Sequence, residues 1–196
     1  MFNEIKPDPD LFNKALTFCN KNDLSGCIKL LDNCEGDVLI YDLIGLCFYA
    51  RGDFSQARMC WIKSIQLDEN QVRAKEYLKD IDSKKFDIYI MIFNKGIDFI
   101  EKNKYISSIQ YILAGNKIIP CVRGFNLTGL LLYRLGLKKN AIKLWKKSIE
   151  IDKGDIAASK YLENAEIGRL PFWVEKFILE MIKFAGKIKF VRYSWS

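Results

Sequence analysis

Two stretches of this chain repeat each other at a fixed offset of 84 residues, without a gap. Gly45, Gly52, Ala57, Trp61, Lys63, Ser64, Ile65, Asp68, Tyr77 and Leu78 recur as Gly129, Gly136, Ala141, Trp145, Lys147, Ser148, Ile149, Asp152, Tyr161 and Leu162. A constant internal period means that one supersecondary unit has been copied. Such units bury their apolar faces against one another rather than around a single centre. The chain is therefore expected to stack into an extended array that offers surface rather than a catalytic pocket.

The repeated element is helical. In Val38 to Asp68 the apolar residues Tyr41, Leu43, Ile44, Leu46, Cys47 and Phe48 return at three- and four-residue steps, the periodicity of an α-helix. Gly52 sits where a left-handed residue would end that helix. Asp53 is placed to cap the next one, which carries Ala57, Trp61 and Ile65 on its apolar face. The result is a helical hairpin with a very short turn. Small residues at Gly45 and Ala57 let its helices approach, and Trp61 fills the space toward the next unit.

These residues together (Gly45, the Gly52-Asp53 turn, Phe54, Ala57, Trp61) resemble a tetratricopeptide repeat. Gly129, Gly136, Ala141 and Trp145 form a downstream copy. Gly96, Asn103, Tyr105, Ser108 and Ile112, closed by Pro120, form a weaker one. Ala15, Asn22, Asp23, Leu24, Cys27 and Leu31 form the weakest. Asparagine replaces glycine at two of the turns, where it too tolerates the left-handed conformation. The resemblance implies an all-α solenoid of helical hairpins in a right-handed superhelix. It also implies a concave groove, lined by the first helix of each hairpin, that takes a peptide or protein partner. Groove positions are expected at Leu39, Asp42, Leu46 and Tyr49, at Ile90, Phe93 and Ile97, and at Arg123, Asn126, Leu130 and Tyr133. The basic and amide cluster with which this family clamps a C-terminal carboxylate is not reproduced, since Asp42, Leu43 and Leu46 stand in its place.

The hairpins are expected to start near residues 8, 38, 89 and 122. The middle spacing exceeds a period of about 34 residues by half a repeat, room for one additional helix over Asn70 to Asp82, with a counterpart from Asp155 to Ala165. The larger unit is then two hairpins plus a closing helix, over 8–85 and again over 86–169, joined at Asp82-Ser83-Lys84-Lys85. Two docked lobes and one continuous superhelix both fit this spacing.

Residues 170–196 belong to neither copy. Pro171 suits the first turn of a helix. Phe172, Trp173, Val174, Phe177, Ile178, Leu179, Met181, Ile182 and Phe184 would spread over a wide apolar arc, with Lys176, Glu180 and Lys183 on a narrow stripe. Lys187, Lys189 and Arg192 then alternate with Phe190, Tyr193 and Trp195. Such a C-terminal amphipathic helix would either cap the array or lie on a membrane surface.

Charge sharpens the asymmetry. Residues 1–85 carry 12 Lys/Arg against 14 Asp/Glu, and residues 86–196 carry 19 against 10. The basic half could favour an acidic partner, but no nucleic-acid-binding motif is present. Catalysis is not expected: the chain has no histidine, and it has no phosphate-binding loop and no nucleophile elbow. Neither a metal nor a cofactor is expected. The six cysteines (19, 27, 34, 47, 60 and 121) form no C-x-x-C pair and read as small buried apolar residues. Reduced thiols and the lack of a visible secretory segment predict a cytoplasmic protein, peripheral at the inner membrane face if the tail docks there. The oligomeric state is left open.

Overall fold

The computed structural model describes residues 9–32, 34 and 37–167. The expected amphipathic segment 170–196 lies outside the described residues. The described part is entirely helical: α1 (Pro9–Asn20), α2 (Leu24–Leu31), α3 (Val38–Arg51), α4 (Phe54–Leu67), α5 (Val72–Ile81), α6 (Lys84–Glu101), α7 (Tyr105–Ile118), α8 (Val122–Arg134), α9 (Lys138–Ile151) and α10 (Ile156–Ile167). Helices α1/α2, α3/α4, α6/α7 and α8/α9 pair as hairpins. The single helices α5 and α10 pack on α4 and α9.

The turns follow local chemistry. Gly52 and Gly136 take left-handed φ values of 87° and 78°, and Asn22 and Asn103 do the same at 59° and 55°, so asparagine substitutes for glycine as its short polar side chain allows. The backbone N–H of Gly52 donates to the carbonyls of Phe48 and Tyr49, closing α3. The Asp23, Asp37 and Ser83 side chains accept from Gly26, Ile40 and Phe86 and start α2, α3 and α6, which satisfies donors that a helix start leaves unpaired. Asp53 departs from expectation. Its side chain makes no cap bond to α4, because its carboxylate is engaged by Arg51 and Arg123 instead.

Packing explains the conserved spacing of the two copies. A Cβ on Gly45 would collide with the indole of Trp61, and a Cβ on Gly129 with that of Trp145. Ala57 and Ala141 are wholly buried on the facing helices. Each tryptophan then stacks on the next helix, Trp61 on Tyr77 at 5.0 Å and Trp145 on Tyr161 at 5.4 Å between centroids. A Cβ on Gly96 would likewise strike Ile112 of α7. Pro120 lies in the short link between α7 and α8.

The array also folds back on itself. The α1–α2 turn meets the α9–α10 turn, where the Lys153 backbone N–H donates to the Asn22 carbonyl at 2.7 Å and Asn22 Nδ2 donates to the Glu150 carbonyl at 3.1 Å. The α3–α4 turn meets the start of α8 through Arg123, whose Nη1 donates to the Gly52 carbonyl at 2.9 Å. Phe54 at the start of α4 packs edge-on against Phe86 and Tyr89 of α6. The two copies are thus docked along their turns, and α3 touches α8.

Candidate functional site

The first helices of the hairpins differ in which of their residues reach the surface. On α3, Leu39 and Leu46 remain 44% and 39% exposed. Tyr49 is half-buried and packs on Phe54 and Trp61. Leu46 and its echo Leu130 differ sharply, since Leu130 is only 1% exposed. Tyr133 and Asn126 are buried too. The cause is local: nearly every residue of α8 from Val122 to Tyr133 is covered, by α7 and α9 on its flanks and α3 across the fold.

Other expected groove positions also turn inward. Asp42 is buried in its hairpin, and Phe93 and Ile97 lie in the main core. Ile90 is half-buried against that core. The large apolar residues of α6 that do face outward are Ile88 and Met91, 47% and 65% exposed. Helical periodicity locates an apolar face, but it does not say which neighbour will cover it. Arg123 is committed to the α3–α4 turn, bonding Gly52 and Asp53.

Three polar arrangements hold the described residues in place. In the first copy, Ser64 Oγ donates to Asp42 Oδ1 at 2.7 Å, and Asp42 Oδ2 has no hydrogen-bond partner. Burial pushes the Asp42 carboxyl above its ordinary value, partly offset by the Ser64 bond. In the second copy, Asn126 Nδ2 and Ser148 Oγ donate to Asp155 Oδ2 at 2.6 and 3.1 Å. Asp155 Oδ1 accepts from the backbone of Ala157 and Ala158 and starts α10. The third arrangement joins the copies. The buried carboxylate of Asp152 accepts from the Ser25 backbone N–H at 3.0 Å, Ser25 Oγ at 2.6 Å and Arg51 Nη1 at 3.1 Å. At the closing helix, Asp82 is ion-paired with Arg58 at 2.5 Å.

A fourth cluster was not apparent from spacing. Cys19 of α1, Cys27 of α2 and Cys47 of α3 bring their sulfurs within 4.8 Å of one another. The Asn22-Asp23 turn rules out one continuous helical face, yet by reversing the chain it is what brings Cys19 beside Cys27. The Cys19 and Cys47 sulfurs are 3.5 Å apart. Hydrogen bonds from Cys27 and Cys47 hold the Cys19 thiol well below its usual range, while the other two thiols are pushed up.

Two clefts on the outer helices are lined mainly by aliphatic and lysine side chains, one by Ile62, Ile65, Leu78, Lys75 and Lys79, the other by Leu113, Phe125, Leu144, Lys117 and Lys147. Neither presents a base beside a nucleophile.

No family model matches the chain, and no curated protein matches it. Among solved structures, it is similar to a MamA RS-1 double mutant, at 13% identity and a TM-score of 0.39, covering 90% of this chain and 93% of that one. It is also similar to MamA AMB-1, at 14% identity and a TM-score of 0.35, covering 91% and 89%.

Proposed function

We propose that this chain is a non-catalytic, tetratricopeptide-like scaffold that binds a protein or peptide partner along α3. One observation carries the reading. Apart from Asp42 and Arg51, α3 is apolar or aromatic around its whole circumference, the pattern of a helix covered on all sides. Yet Leu39 and Leu46 stand exposed two turns apart, with Leu43 and Tyr49 half-covered beside them. Anchors at that spacing suit the apolar face of an amphipathic helix laid across the stripe. The α8 positions are engaged within the fold, Asn126 with Asp155, Tyr133 against Trp145 and Leu130 in the main core, so we assign the partner surface to α3 alone.

Selection of helical peptides from a displayed library against the full chain tests this reading. Peptides enriched on the wild type should lose at least about tenfold in affinity to Leu39→Asp and Leu46→Asp, with the circular dichroism of both variants unchanged. Enriched peptides that bind both variants as tightly as the wild type would refute the α3 surface. Membrane association through 170–196 remains the alternative, and no helix among the described residues is long and apolar enough to cross a membrane. Co-sedimentation with anionic liposomes, comparing the full chain with one ending at Arg169, separates the two. Lipid binding lost on truncation favours the membrane, and equal behaviour of both chains removes it.

A further inference from the structure

We propose that Cys19, Cys27 and Cys47 form a three-thiolate site for one thiophilic divalent ion of the zinc group. The three sulfurs come from three different helices and converge within 4.8 Å of one another. A triangle with no side longer than that contains a point within about 2.8 Å of every corner, and thiolate–zinc bonds are about 2.3 Å. Each sulfur therefore needs to move inward by only about half an ångström, within the reach of a χ1 adjustment.

The donor set selects the ion. Thiolates are soft ligands that favour zinc-group ions and Cu(I) over magnesium or calcium. Three thiolates around a monovalent ion would leave two net negative charges among Ala15, Leu31, Ile40 and Ile44, which line this core. A divalent ion leaves one, and buried uncompensated charge is costly. Cys27 and Cys47 are 0% and 2% exposed and form the floor. Cys19 is only partly covered, which gives the ion an approach and leaves a side on which water completes a fourth position. Binding replaces S–H bonds by S–metal bonds and releases the thiol protons to solvent, with no redox step.

The test uses the full chain, fully reduced and kept free of oxygen. Titration with Cd2+ should give a sulfur-to-cadmium charge-transfer absorbance that saturates at one ion per chain, and Zn2+ should displace it. Cys19→Ser should weaken Cd2+ binding at least about tenfold, as should Cys27→Ser and Cys47→Ser. Cys34→Ser, Cys60→Ser and Cys121→Ser should leave it unchanged. If the two buried variants fail to fold by circular dichroism, Cys19→Ser decides, because its side chain is at the open edge. Absence of the absorbance in the wild type, affinity unaltered in Cys19→Ser, or equal loss in Cys34→Ser or Cys60→Ser would each overturn the site.

Discussion

In the first copy a buried carboxylate sits on the first helix of the hairpin, at Asp42, and the position before the closing helix is Gln71. In the second copy the two roles are exchanged: Asn126 occupies the helix and Asp155 the position before α10. The serine between them, Ser64 or Ser148, donates to whichever carboxylate is present. The apolar frame of glycine, alanine and tryptophan is identical in both. Close packing tolerates little change in shape, so the frame was kept, whereas one negative charge near one serine can be supplied from either side. The exchange is not neutral. Asp155 has both oxygens satisfied and starts a helix, while Asp42 leaves one oxygen without a partner.

Loading the second copy with both charges would break this comparison most severely. Asn126→Asp would set a second carboxylate against Asp155, where amide and carboxylate now stand 2.6 Å apart. It should cost about 3 kcal/mol in urea unfolding at neutral pH, with the loss shrinking in acid as the pair shares a proton. Adding Asp155→Gln should restore part of it, since that combination rebuilds the residue types of the first copy. A cost below about 0.5 kcal/mol would mean that the exchange is decorative.

The next contrast lies between Asp152 and its echo Asp68. The former is buried under Ser25 and Arg51, and the latter bonds only the Asn70 backbone on the surface. Asp152→Ala should destabilise the chain by about 2 kcal/mol, and Asp68→Ala by less than about 0.5 kcal/mol. Equal losses at the two positions would remove the asymmetry.

The smallest effect is a gain. Burial raises the Asp42 carboxyl above its ordinary value, so its charged form is disfavoured by folding. Its contribution therefore falls as pH rises through that raised value. Asp42→Asn should stabilise the protein by about 1 kcal/mol near neutral pH. The advantage should vanish in acid, where the wild-type carboxyl is protonated. A gain that persists unchanged at low pH would assign it to something other than charge.

The sequence showed clearly whatever depends on neighbours along the chain. The hairpins follow from periodicity, and their turns from Gly52, Gly136, Asn22 and Asn103, because helix-ending conformations are local. The existence of α5 follows from an interval too long for one hairpin, and that of α10 from the echo of Tyr77 and Leu78 at Tyr161 and Leu162. Contacts between distant elements were not legible. Leu46 and Leu130 are the same residue at the same phase of the corresponding helices, yet Leu46 is exposed and Leu130 lies in the main core, because α8 is flanked by α7 and α9 in surroundings that α3 does not share. Asp53 carries a sound capping position, but Arg123, seventy residues away, outbids the helix start for its carboxylate. The thiol cluster is a product of chain reversal, and no spacing rule for a single helix could find it.

The clasp at Asp152 changes how such an array comes apart. A linear stack of repeats frays from its ends, because a terminal unit is held by one neighbour only and stability is close to a sum over adjacent pairs. Here the first hairpin is held twice, by α3 along the chain and by the α9–α10 turn across it. Releasing it means giving up both interfaces in one event. The described helices should then unfold together, with amides of α1 and α2 opening at the same free energy as those of α8 rather than earlier. Loss of the clasp would be felt at both extremes of the described array at once.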